Sequence, residues 1–292
     1  MKEIELYENI IVYQDVHDQP QKLYDIIKES VNNNPDRILG EWSDWSSFGK
    51  YIKHAFPDLV KLNPKTNKPT KFDIETVTDL QTNSKIQEDQ KYFLLELAKG
   101  FDMVTGAYIS KYKEDFNFNK EELIKTHSGE EVPLWGTDGP SICQYRKNVD
   151  TVMAMRYHSD YMREPIKSPG YKFGITANYY FNDDYEGGEL DFYIDGNLIK
   201  YKPVAGDWVV FPSGHPEVLS KNGQPYLHGV CPSLGTEKYL VRTYWTKYEV
   251  GDQEWFDKQE EYGPDVWAKM HKEMMNEYAP KKDSIPEGNR IR

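Results

Sequence analysis

Between Ser141 and Val250 the chain is cut into short β-rich runs: "ICQYRK", "TVMAMRYH", "FGITANYYF", "ELDFYI", "NLIKY", "DWVVFPS", "YLHGV" and "KYLVRTYWTKY". Glycine, proline and aspartate separate them, so a turn intervenes before any run reaches the length of an ordinary helix. Eight or so closely spaced strands can bury their apolar faces by packing sheet on sheet. An antiparallel sandwich or jelly roll is therefore the expected core. Asp195-Gly196, between "DFYI" and "NLIKY", is a residue pair favoured in two-residue hairpin turns. In "YYFNDDYEGGEL" a strand closes on Tyr179 and Tyr180, and Gly187-Gly188 allows a tight reversal.

The flanks read differently. "IELYENIIVYQDV" reads as a first strand, and "QPQKLYDIIKESVNNN" as a helix capped by Asp18 with Leu23, Ile26, Ile27 and Val31 on one face. "GEWSDWSSFGKY" reads as a Trp-bearing loop leading into a polar stretch over 57–85. Across 86–112, Ile86, Phe93, Leu94, Leu97, Phe101, Val104 and Ile109 have the spacing of a long amphipathic helix, with Gly100 or Gly106 as a possible break. After Val250, Trp267, Met270, Met274 and Tyr278 recur at helical spacing before Pro280. The expected architecture is one α+β unit over 1–292. Residues 1–140 give helical and strand support, 141–250 the jelly-roll core, and 251–292 a C-terminal helix and tail. The alternative is two domains divided near residue 130.

Charge and cysteine content narrow the function. A formal net charge of -12 disfavours a surface that coats DNA or RNA, which needs a basic footprint. The two cysteines, Cys143 and Cys231, have no metal-ligand spacing and suit a reducing compartment. "MKEIELYENI" has no basic segment followed by an apolar one, and no run approaches the roughly 18 apolar residues that a membrane helix needs. These features give the expectation of a cytoplasmic protein without a membrane partner.

The chemistry centres on "MRYHSDYM". Residues two apart on a strand share a face, so His158 and Asp160 point the same way. Alone, such a pair is as compatible with a solvated strand as with a metal. His228, in "YLHGVCP", would complete a face of two histidines and one carboxylate, the set that suits Fe(II) with three open positions. Lys238 and Arg242 then lie four apart on one strand. A cation in an aromatic pocket needs an anionic partner, which a dicarboxylate would supply. One of Tyr179 and Tyr180 must face inward to share that anion. Trp208, Phe211 and Trp245 form an expected apolar frame around the centre. His215, in "SGHPE" within the stretch 214–226, is a rival for the distal ligand but reads as part of a turn. The acidic group Asp183, Asp184, Glu186 and Glu189 reads as a solvated turn.

In order and spacing, "RYHSD", "YYFNDDYEGGELDF", "AGDWVVFPS" and "HGVCPSLGTEKY" resemble the iron(II)- and 2-oxoglutarate-dependent dioxygenases, most of all the prolyl-4-hydroxylase-like branch. The resemblance covers roughly Ser141 to Trp245. It implies a double-stranded β-helix, Fe(II) held by His158, Asp160 and His228, and 2-oxoglutarate as cosubstrate with ascorbate in support. Its basic residue for the oxoacid's distal carboxylate falls on Lys238, as in the prolyl hydroxylases proper, with Arg242 as a substitute. Its tyrosines fall on Tyr180 and on Tyr145, the latter across a stretch about three residues longer than is usual in the family. The partners implied are O2 and a protein, peptide or small-molecule substrate that is hydroxylated, prolyl or similar side chains first. The other readings are a cupin-like metalloenzyme that needs no oxoacid and a non-catalytic β-sandwich that binds a partner.

Overall fold

A computed structural model of the chain describes residues 1–33, 40–46, 49–55, 60–62, 69–72, 88–115, 122–160, 169–212 and 219–263, with 265, 266 and 269. The elements in chain order are β1 (Lys2–Tyr7), β2 (Ile10–Gln14), α1 (Pro20–Asn33), β3 (Gly40–Ser46), β4 (Gly49–Ala55), β5 (Val60–Leu62), β6 (Pro69–Phe72) and α2 (Glu88–Tyr112). There follow β7 (Leu123–Lys125), β8 (Glu131–Pro133), β9 (Trp135–Tyr145), β10 (Met155–His158), β11 (Gly170–Tyr180), β12 (Glu186–Gly187), β13 (Leu190–Ile194) and β14 (Asn197–Tyr201). The chain closes with β15 (Trp208–Phe211), β16 (Leu227–Val230), β17 (Ser233–Leu234), β18 (Lys238–Glu249) and α3 (Gln253–Tyr262).

The core is α+β, a double-stranded β-helix with flanking helices. An eight-stranded sheet runs β1-β2-β15-β11-β18-β9-β4-β3, and a four-stranded sheet runs β10-β16-β13-β14. Strand pairing is antiparallel throughout both sheets. The turn between β13 and β14 falls at Asp195-Gly196, both with positive φ, as the sequence predicts.

Alternation along the large sheet separates two apolar cores. Tyr179, Val210, Val241 and Ile142 face α1 and α2, where they meet Leu23, Ile27, Phe93, Leu97, Phe101 and Tyr108. Their neighbours Tyr180, Val209, Leu240 and Cys143 face the small sheet and pack with Phe192, Ile194 and Phe211. The helices therefore buttress one face of the large sheet, and the space between the sheets holds the second core.

Three flanking expectations need correction, and a fourth gains a helix. The first strand is a hairpin, β1 and β2, because Asn9 turns the chain at a positive φ of 61°. "GEWSDWSSFGKY" is not a loop. It supplies β3 and β4, which extend the large sheet beyond β9. Helix α2 is continuous through Gly100 and Gly106. After Val250 a further helix, α3, precedes the expected one and ends at Gly263 with a φ of 76°, and in the expected segment Asp265, Val266 and Lys269 are helical. Trp267, Met270, Met274 and Tyr278 lie outside the described residues, as does His215.

Gly100 has a packing role. A Cβ there would lie 2.5 Å from His17 Cε1 and Nε2. That ring cannot easily move, since Trp208 Nε1 donates to its Nε2 at 3.0 Å and Glu96 holds its Nδ1 at 3.3 Å. Alanine is the better helix former by about 1 kcal/mol, but overpacking in a close-packed core costs roughly 1–3 kcal/mol. Gly100→Ala is thus expected to destabilise the fold, and a urea titration of variant and wild type measures the sign.

Candidate metal centre

Strands β10 and β16 pair so that His158 stands directly opposite His228. Asp160 follows just beyond the end of β10. The approach is close because Gly229 has no side chain: a Cβ there would meet Met153 Cε at 2.9 Å and the Met155 carbonyl at 3.0 Å. The imidazole centroids of His158 and His228 lie 4.4 Å apart. Asp160 Oδ1 is 3.5 Å from His158 Nε2, and its Oδ2 is 3.7 Å from His228 Nε2. One donor atom from each residue falls within 4.8 Å of the others.

The surroundings settle which nitrogen is free. His158 Nδ1 donates to the Arg156 carbonyl at 2.8 Å, and His228 Nδ1 to the Tyr226 carbonyl at 3.4 Å. A carbonyl only accepts, so each ring in its neutral form carries its proton on Nδ1 and keeps a lone pair on Nε2. Both histidines use the carbonyl two residues earlier, so the strand itself supplies the orienting group. Thr176 Oγ1 donates to Asp160 Oδ2 at 3.0 Å. Phe211 lies edge-on to the His228 ring at 4.8 Å.

Electrostatics act differently on the three residues. Burial pushes the His228 imidazole down to about 4. Burial also opposes ionisation of Asp160, but His228, His158 and Arg242 outweigh it and hold that carboxyl well below the usual range. For His158 the burial cost is outweighed by the hydrogen bond and charge of Asp160, so its pKa rises. His228 is a neutral Nε2 donor, and His158 becomes one when a bound cation displaces the proton that Asp160 favours; with the carboxylate, this set fits a first-row divalent ion with bonds of about 2.1 Å.

A second cluster lies on the large sheet, across the same space between the sheets. Lys238 is fully buried, opposite Tyr145 on β9, and its Nζ donates to the Gly188 carbonyl at 2.6 Å. Its ammonium lies 4.9 Å from the Tyr180 ring centroid and 5.8 Å from those of Tyr145 and Tyr185. Burial, reinforced by Lys202, pushes the Lys238 pKa down to about 7. The buried Tyr185 hydroxyl has no hydrogen-bond partner among the described residues. An enclosed ammonium among aromatic rings, with an unsatisfied hydroxyl close by, suits a carboxylate ligand.

The site thus gathers His158, Asp160 and His228 at one end, and Lys238, Tyr180 and Tyr145 at the other. Arg242 lines the cavity shared by Cys143, Tyr145, Thr176, Asn178, Tyr180 and His228. Tyr179 faces the helices. The expected apolar frame is corrected in two members. Trp208 and Trp245 lie in the helix-side core, and only Phe211 reaches the metal centre. Thr176, Asn178 and Tyr185 were not anticipated. The signal for the first two was present in "FGITANYYF", where polar residues fall at every second position of a buried strand.

Residues 143–247 match the 2OG-Fe(II) oxygenase superfamily. That span holds every residue of both clusters, so the oxygenase match and the geometry coincide on one segment. A search of curated proteins finds no match to the chain. Among solved structures, the chain is similar to a prolyl-4-hydroxylase from Pseudomonas putida, with 15% identity, 82% of this chain and 93% of that one covered, and a TM-score of 0.43. It is also similar to the viral collagen prolyl hydroxylase of Paramecium Bursaria Chlorella virus-1, with 11% identity, 82% and 97% covered, and a TM-score of 0.45. A third is the dioxygenase for auxin oxidation 1 of Arabidopsis thaliana, with 11% identity, 81% and 82% covered, and a TM-score of 0.49. No helix among the described residues is long and apolar enough to cross a membrane.

Thr176 gives a test that does not touch a ligand atom. Loss of an outer hydrogen bond to a metal-binding carboxylate costs about 10–100-fold in affinity. Thr176→Val is expected to weaken Mn(II) binding by that amount in a chelator competition, with the secondary structure of the wild type. His228→Ala is expected to abolish binding in the same assay.

Proposed function

We propose that the chain is an Fe(II)- and 2-oxoglutarate-dependent dioxygenase that hydroxylates a C–H bond. His158, Asp160 and His228 hold the iron, and Lys238 with Tyr180 holds the distal carboxylate of the oxoacid. The observation that carries the reading is the convergence of two Nε2 atoms and one carboxylate within 4.8 Å, inside the segment that matches the oxygenase superfamily. A prolyl or similar side chain in a protein or peptide is the substrate class that the resemblance to the prolyl-4-hydroxylase-like branch favours, and the prolyl hydroxylases proper also place a lysine where this chain has Lys238.

When bound, iron and 2-oxoglutarate supply the activation of O2, with succinate and carbon dioxide as coproducts of hydroxylation. The chain's own contribution is placement and exclusion of water. The Arg156 and Tyr226 carbonyls keep both imidazoles aimed, and Thr176 fixes the carboxylate. Leu190, Val230 and Leu240 line the cavity with apolar surface, which strengthens each charge contact inside it. Tyr145 closes the Lys238 end.

Wild-type protein with Fe(II), ascorbate and 2-oxoglutarate is expected to release succinate, and Asp160→Ala to release none above background. If the wild type binds iron but neither binds nor consumes 2-oxoglutarate, a cupin-like metalloenzyme is the better description. If it binds neither, a non-catalytic β-sandwich is.

Lys238 gives the reaction a pH signature. It must be charged to pair with a carboxylate, yet its pKa in the free protein is about 7. Above that pH, binding must take up a proton, so 2-oxoglutarate affinity should fall by up to about tenfold per pH unit. Calorimetry in buffers of different ionisation heat measures both the slope and the proton uptake. An affinity independent of pH between 7 and 9 removes Lys238 from the role.

A further inference from the structure

The Lys238 and Arg242 side chains leave the same face of β18, four residues and about 13 Å apart along the strand. Lys238 lies among tyrosines at one end of the inner face. Arg242 sits across from Asn178 on β11 and Ser141 on β9, and it lines the cavity together with His228. Its charge acts on all three residues of the metal centre. Among the described residues its buried Nε–H has no acceptor. Its guanidinium lies 5.4 Å from the Tyr244 ring centroid, so an aromatic face shields one side. Asp160, a carboxylate whose charge acts on it, is already engaged by both histidines and Thr176.

The charges of the loaded site point to what is missing. On the reading in the preceding subsection, the ferrous ion and the Lys238 ammonium balance the Asp160 carboxylate and the two carboxylates of the oxoacid. Arg242 is then a surplus, half-buried cation with an enclosed Nε–H, which is costly without an anion. The oxoacid is unsuited to serve it. One of its carboxylates is committed to the metal and the other to Lys238, and a five-carbon diacid spans only about 5 Å between carboxyl carbons at normal bond lengths. We propose that Arg242 receives a carboxylate carried by the substrate itself, so that the molecule hydroxylated presents a free carboxylate near the reacting C–H bond. For a peptide this means a C-terminal or acidic residue beside the target, and for a small molecule a carboxylic acid. A guanidinium suits the task because its planar fork binds a carboxylate in two places and so fixes orientation as well as position.

The test separates this inference from the reading beneath it. Under argon, Fe(II)-loaded protein is titrated calorimetrically with 2-oxoglutarate, and the saturated complex is then titrated with acetate and with its uncharged isostere acetamide. In the wild type, acetate is expected to bind and acetamide to bind far more weakly. Arg242→Leu should retain 2-oxoglutarate binding and lose acetate affinity by about tenfold or more, the worth of a charge-assisted contact. Arg242→Lys should recover part of that loss, and it provides a second variant if the leucine protein does not fold. The inference is overturned if acetate binds wild type and Arg242→Leu equally, or if it binds wild type no better than acetamide. Loss of 2-oxoglutarate binding in Arg242→Leu also overturns it, by assigning the arginine to the oxoacid. Failure of the wild type to bind 2-oxoglutarate appears in the first titration and brings down the oxygenase reading together with this one.

Discussion

The pairing of β10 with β16 is the contact on which the centre depends. It sets His158 against His228 across two antiparallel strands, and the bare Cα of Gly229 lets the strands come close enough for the rings to face one carboxylate. Register matters here more than elsewhere. A slip of one residue would send each imidazole to the opposite face of the small sheet, because side chains alternate along a strand. Each histidine is oriented by the carbonyl two positions earlier on its own chain, so the geometry that brings the rings together also fixes their tautomers. Position and protonation state have one structural cause.

The large sheet applies the same alternation to a different end. Its odd and even positions lead separate lives. Tyr179, Val241 and Ile142 build the floor under α1 and α2, while Tyr180, Leu240, Cys143 and Tyr145 line the space between the sheets. Helix packing therefore holds rigid the strands that carry the polar groups, and among the described residues no helix residue lines the cavity. His17 is part of this support. Buried against Trp208 and tied to Glu96, it is a structural histidine, and its lowered pKa, set chiefly by burial, fits a neutral ring accepting from an indole.

The parts of this arrangement that sequence made legible are those governed by short-range rules. Turn residues mark the hairpin at Asp195-Gly196, and the His-x-Asp pair with a later histidine and a lysine ten positions on marks the centre. The less legible parts depend on which face a strand turns inward. Trp208 and Phe211 are three apart on one strand, so they point opposite ways, and proximity in sequence mistakenly placed both at the site. "GEWSDWSSFGKY" shows no clean apolar alternation, yet β4 pairs along β9 and makes the segment sheet. Tyr185 is similar. Its segment reads as a solvated acidic turn, and only the fold back toward Lys238 shows its buried hydroxyl. Tertiary pairing supplies information that the local pattern lacks.

Placing two cations on one inner strand face has a consequence for the chain without ligands. Lys238 is fully enclosed, and the environment that lowers its pKa to about 7 penalises the charged form. Hydrophobic residues at 238 and 242 would pack the same space without that cost, so the cations weaken the free fold locally. A carboxylate that reaches Lys238 removes the penalty and adds charge-assisted hydrogen bonds in a cavity already shaped for it. Ligand affinity and fold stability are then coupled, because a ligand that binds only the folded chain stabilises it as its concentration rises above the dissociation constant. The apolar walls take part in the same coupling. By excluding water they make an unpaired ammonium or guanidinium costly and a paired one strong, so the inner face between the two sheets is better suited to an anion than to solvent.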